Sequence, residues 1–146
     1  MGKPIYRTRR KSRAVALKAL YEADAVGHDA EQVVNRLLEN TSLPEASVNF
    51  ARELVKGVID HRLEIDRRIK KFAPAWPVSQ IPVIDRNVLR LAIFEIFIDN
   101  RIPVKIGVNE AVELAKAFGS DNSPKFVNGV LGSIDLQLKD NEVVDI

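Results

Sequence analysis

The residues with the most obvious chemistry are crowded at the start of this chain. Lys3, Arg7, Arg9, Arg10, Lys11, Arg13 and Lys18 put seven basic side chains in the first 21 residues, which hold no acid. The remainder carries fifteen basic and twenty acidic residues, so the net charge of +2 conceals a basic head on an acidic body. Such segregation points to a polyanion held at one end. A nucleic acid is such a polyanion, and arginine suits it because its planar guanidinium pairs with phosphate and also stacks on rings. Arg9, Arg13, Leu17 and Tyr21 recur every fourth residue, which sets them along one side of a helix. The arginines therefore extend the apolar stripe of Ala14, Ala16, Leu17, Ala19 and Leu20. From there they should project beside the end of a helical bundle, within reach of a ligand lying across it. The competing reading is a solvated basic tail, the ordinary fate of a charge run. Tyr21 is open to two readings, a core ring with its hydroxyl at the surface or a stacking ring.

Nothing comparable points to catalysis, and no catalytic residue is expected. The absence of cysteine excludes a disulfide framework, a thiolate metal site and a cysteine nucleophile. His28, in a turn, and His61, mid-chain, have no partner at ligand spacing, so no metal is expected. Glu110 and Glu113 stand on adjacent helical turns, but a solvated face explains them better than an acid–base pair. Asp121 and Ser123 read as turn and cap chemistry, because no base accompanies them. No glycine-rich phosphate loop is present, and no cofactor is expected.

The element that must organise these residues is Pro82 to Asn100, PVIDRNVLRLAIFEIFIDN. Its apolar run is too long for a strand and too charged for a membrane span. Beyond Arg90 it is apolar on nearly every face except at Glu95, so other helices must surround it. Pro82 fits its first turn, and Asp85 opposes the positive end of the helix dipole. Before it, helices are expected from Thr8 or Arg9 to Val26, ended by Gly27, and from Ala30 to Glu39, with an Asp29–Gln32 capping box. Ser42, Pro44 and Glu45 repeat that signature, with Ser42 as the cap and Pro44 in the first turn, and the helix they open should bury Phe50, Leu54, Val55, Val58 and Ile59. A separate or bent helix then carries Leu63, Ile65, Ile69 and Phe72, and Ala73 to Ile81, with Trp76, forms a connector. After a break at residues 100–103, Val104 to Phe118 is amphipathic, with Val108, Ala111, Val112, Ala115 and Phe118 inward and Gly119 as a left-handed cap. The last helix starts at Ser123-Pro124 and buries Phe126, Val127, Val130, Leu131 and Ile134. Asn128-Gly129 inside it suggests the close approach of a neighbouring segment. No alternating strand pattern appears. The expected fold is all-α, a compact bundle of about six or seven helices in one domain, residues 1–146, with a flexible start (1–7) and a frayed acidic tail (139–146). No secretory or membrane-spanning segment is expected, which makes the cytoplasm the default location.

Three stretches carry a resemblance. VNEAVELAKAFG at Val108–Gly119 followed by SPKFVNGVLG at Ser123–Gly132 resembles the C-terminal signature of the NusB family of bacterial transcription antitermination factors. VLRLAIFEI at Val88–Ile96 is similar to that family's central helix, and RRKSRAVALKALYEAD at Arg9–Asp24 to its arginine-rich first helix. The blocks keep the family's order and span nearly the whole chain. The resemblance implies an all-helical, non-catalytic protein. It implies binding of boxA, a single-stranded RNA element in the leader of ribosomal RNA transcripts, together with NusE, which is also a ribosomal protein. It further implies a place in the RNA polymerase antitermination complex, where premature termination is suppressed. By the same resemblance the RNA-binding residues are Arg9, Arg10, Arg13, Tyr21, Asp85, Arg90, Asp121, Asn122 and Phe126. Asp121-Asn122 stands where some relatives have Glu-Asp. For Phe126, spacing with Val130 equally allows a core position. Monomer and homodimer both stay open, as do two other roles: a protein-interaction module, and an accessory domain for an RNA-modifying enzyme.

Overall fold

A computed structural model of the chain describes the backbone of residues 3–144 and the side chains of residues 9–141. Among the described residues there are seven α-helices and no strand. The helices form two compact units, Met1–His61 and Arg62–Ile146.

The first unit packs three helices against one another: α1 (Lys3–Val26), α2 (Ala30–Glu39) and α3 (Glu45–Asp60). α1 is already helical at Lys3, ahead of the expected Thr8 or Arg9. Met1 and Gly2 lie outside the described residues. Ala16, Leu17, Ala19 and Leu20 are buried as their spacing requires. Gly27 ends the helix at φ +84°, a left-handed conformation in which glycine has no Cβ to clash. Asp29 caps α2 by accepting from the Gln32 N–H at 3.0 Å. The cap expected from Ser42 is not formed: Pro44 is the N-cap residue of α3 and supplies no side-chain hydrogen bond. Phe50, Leu54, Val55 and Val58 are buried, whereas Ile59 is 41% exposed. Ser12 Oγ donates to the Ser47 carbonyl at 2.8 Å, a buried bond that fixes α1 against α3.

The second unit holds α4 (Arg62–Phe72), α5 (Val83–Ile93), α6 (Val104–Phe118) and α7 (Ser123–Val144). α5 packs against each of the other three, the surrounded position that its composition demanded. Every residue from Asn87 to Phe97 is buried. The chain widens into a π-helical turn at Phe94–Ile98 and breaks at Asn100, whose φ is +56°. Pro82 is the N-cap of α5 rather than part of its first turn. α6 lies against that π-turn so closely that a Cβ on Gly107 would stand 2.4 Å from Ile96 Cγ1.

Three local expectations are corrected. Gly119 is extended (φ −94°, ψ −165°), not left-handed; a Cβ there would come within 2.5 Å of Ser123 Oγ. Phe118, expected inward, is 36% exposed. Asn128 and Gly129 face outward, and nothing lies within 4 Å of where a Gly129 Cβ would be, so no segment approaches it. α7 continues as helix to Val144. Among the described residues, no helix is long and apolar enough to cross a membrane.

Candidate nucleic-acid interface

The sequence-assigned residues fall into two groups, one in each unit. In the first, α1 presents Arg9, Arg10 and Lys11 in exposed positions immediately before its buried stripe. Phe50 of α3 organises part of this group. The Arg9 guanidinium carbon lies 4.5 Å from the Phe50 ring centroid, and that of Arg13 lies 5.4 Å away. An arginine over an aromatic face is held by the ring quadrupole. The two residues nevertheless differ: Arg9 is exposed, while Arg13 is 5% exposed and buried with Ser12. Helical periodicity placed both on the packing side, and depth along the helix separates them. Tyr21 is 43% exposed, which settles it as a surface ring rather than a core one. The side chains of Lys3 and Arg7 lie outside those described.

In the second group, the start of α5, the connector before it and the turn before α7 form a cleft of about 430 Å³. Asp85, Asn122 and Phe126 line it, so three of the assigned residues are brought together. Phe126 is half-buried, and Asp121 and Asn122 are exposed. Asp85 is only 5% exposed, and its Oδ1 accepts a 2.6 Å hydrogen bond from Ser123 Oγ. Ser123 Oγ in turn accepts from the Ser120 N–H at 2.9 Å. A charge-assisted bond of that length is among the stronger kinds and fixes the turn that carries Asp121 and Asn122. The opposite side of the cleft is fixed by Arg86. Its Nη1 donates to the carbonyls of Ser79 and Ile81, both at 3.0 Å, which pins the short 3-10 turn at Val78–Gln80.

Arg90 is deeper still, at 2% exposure. Its Nε and Nη2 donate to the two carboxylate oxygens of Asp66 on α4 at 2.9 and 3.1 Å. Its Nη1 donates to Asn87 Oδ1 at 3.1 Å. Asn87 Nδ2 donates onward to the Val83 carbonyl at 2.8 Å. A planar fork on a carboxylate is the geometry for which arginine is selected over lysine. The guanidinium thus holds α4 to α5, and Arg62 adds a bond to Asp66 at 3.0 Å.

Sequence reasoning missed Asp66 and Arg86 as residues that hold the site, and read the turn chemistry of Ser123 without its bond to Asp85. Their partners are distant in sequence or are backbone carbonyls, and neither leaves a periodic mark. It also treated Trp76, Gln80 and Ile81 as connector and Pro82 as part of the first turn of the central helix, although all four line the cleft. The one available signal was that Trp76 is the chain's single tryptophan. Among the described residues, no group of three or more His, Cys, Asp or Glu side chains is placed to hold a metal ion.

Known proteins resemble this chain along most of its length. The model of the NusB family matches residues 10–135. The transcription antitermination protein NusB of Dehalococcoides mccartyi (strain CBDB1) is 52% identical over 133 residues, covering 91% of this chain and 93% of that protein. Among solved structures, T. maritima NusB matches with a TM-score of 0.81 at 35% identity, covering 86% of this chain and 89% of that one. A chain from a crystal structure of the antitermination factors NusB and NusE in complex with dsRNA matches with a TM-score of 0.80 at 28% identity, covering 88% and 96%. The two groups of side chains described above therefore sit on a shared scaffold: the chain belongs to the NusB family.

Proposed function

We propose that this protein is a non-catalytic transcription antitermination factor of the cytoplasm. It binds single-stranded boxA RNA of ribosomal RNA transcripts together with the ribosomal protein NusE and helps RNA polymerase avoid premature termination. We take residues 1–146 as one functional domain. The observation that carries the RNA role is the exposed basic start of α1, with Arg9, Arg10 and Lys11 facing out just before the helix becomes core. The relatives' names and the NusB–NusE–RNA complex support the partners.

The nine assigned residues divide by exposure. Arg9 and Arg10 neutralise phosphates, Tyr21 and Phe126 offer rings to bases, and Asp121 and Asn122 meet polar base edges. Arg13, Asp85 and Arg90 are positioning residues that act through Phe50, Ser123 and Asp66. NusE adds surface to a site that is short on this chain alone, so the pair should bind more tightly than either protein. Fluorescence anisotropy of labelled boxA RNA, with and without NusE, tests this. A clear gain in affinity with NusE, lost on scrambling the RNA, is expected. Equal affinity for boxA, scrambled RNA and a duplex would refute sequence-selective single-strand binding.

A further inference from the structure

We propose that the cleft between the residue 76–82 connector and the turn before α7 receives a single unstacked nucleobase, with Trp76 as its stacking ring. The proposal rests on the RNA-binding reading above and assigns two residues, Trp76 and Gln80, that the resemblance did not.

Four observations point to a base. The cleft, at about 430 Å³, lies within the range of pockets that hold small molecules. Two aromatic rings line it, Trp76 and Phe126. Trp76 is 58% exposed, an unusual position for a ring of that size unless something covers it. Base–aromatic stacking is tolerant of sequence, because every base has a π-face. Polar groups in the lining then decide what part of a nucleotide can enter. Gln80 and Asn122 each bring an amide that both donates and accepts. Asp85 brings a carboxylate whose Oδ1 already accepts from Ser123. Its negative charge repels a phosphate at the cleft without itself needing to touch the base. Among the described residues, no lysine or arginine lines the cleft. The phosphates therefore belong outside it, and the base is the part that enters. Continuity supports the same occupant, since Asn122 and Phe126 belong both to this cleft and to the proposed RNA contacts.

The cleft is also built in advance. Arg86 pins the connector on one side, and the Asp85–Ser123–Ser120 chain pins the turn on the other. A site held open before binding spares the ligand the cost of ordering it.

Trp76 is the only tryptophan, so intrinsic emission of the unaltered protein reports on this cleft alone. The experiment titrates the full chain with single-stranded boxA RNA, following tryptophan emission and, on labelled RNA, anisotropy. We expect emission to change in step with binding. Trp76→Ala should weaken binding roughly five- to hundredfold, the range for loss of one stacked base. Trp76→Phe should restore most of it. The slope of log affinity against log salt should stay that of the unaltered protein, because no phosphate contact is lost. Gln80→Ala should weaken binding without changing the slope either. RNA binding with unmoved emission and unchanged Trp76→Ala affinity would overturn the cleft while leaving the RNA function intact. Emission that responds to NusE and not to RNA would assign the cleft to the protein partner and also overturn it. Absence of any RNA binding by anisotropy would overturn the RNA-binding reading and this proposal with it.

Discussion

The sharpest consequence of the geometry concerns Arg90 and Asp66. The Arg90 side chain is 3% exposed and the Asp66 side chain 25%. Removing one partner of a buried pair strands the other charge and costs about 3–5 kcal/mol. Asp66→Ala strands the deeper member. Arg90 keeps its bond to Asn87, which places the loss near the lower end, at about 3 kcal/mol. For a chain of this size that is a fall in melting temperature of roughly 6–12 °C. Arg62→Ala removes only an exposed bond to the same carboxylate and should cost less than about 1 kcal/mol. Urea denaturation followed by helical circular dichroism separates the two. The RNA readout is equally definite. Arg90→Ala, assayed where the protein is folded, should leave the salt slope of boxA binding unchanged, because its guanidinium is committed to Asp66. A variant that melted like the unaltered protein, with a slope shallower by about 0.7, would show that Arg90 reaches a phosphate instead and would refute the clamp.

Other outcomes follow from the same structure. Arg10→Ala should flatten the salt slope of RNA binding by about 0.7 while moving stability by less than about 0.5 kcal/mol, whereas Arg13→Ala should cost about 1–2 kcal/mol in a denaturant melt, because it is buried over Phe50. Gly107→Ala should destabilise by about 1–3 kcal/mol, since its Cβ would collide with the buried Ile96, but Gly129→Ala should stabilise by about 0.5–1 kcal/mol, since only helix propensity changes there. Denaturant melts of both variants test these opposite signs. Hydrogen bonds from Arg36 and then His28 hold the Glu22 carboxyl below its ordinary value of 4.5. Its stabilising contribution is therefore present above that value and lost as pH falls through the lowered one, so Glu22→Gln should flatten the acid limb of a stability–pH profile measured by thermal melts.

What the sequence made legible was whatever repeats along a helix or closes within one turn. The Asp29–Gln32 cap joins residues three apart, and the apolar saturation from Asn87 to Phe97 could have only one cause, enclosure by other helices. The failures share the opposite property. Ser42 and Gly119 matched cap patterns, but a pattern fixes candidates and not dihedral angles; Pro44 took the cap position of α3, and Gly119 caps α6 in an extended conformation. Gly129 looked like a packing glycine because a helix has no marker for which side will stay bare.

The resemblance named the candidate RNA-binding residues as a set, but said nothing of what holds each one in place. Arg90 finds Asp66 across 24 residues and Asp85 finds Ser123 across 38, and no periodicity connects either pair. Such partners decide whether a charged side chain meets a ligand or holds the residue that does. The distinction has a physical basis in desolvation. A charge at 2% exposure must already be satisfied by the protein, because an unsatisfied one would unfold its surroundings. An exposed charge carries no such obligation and remains available to a phosphate. Burial thus divides the candidate residues into classes with different signatures. Exposed arginines should change the salt slope and spare the fold; buried members should change the fold and spare the slope.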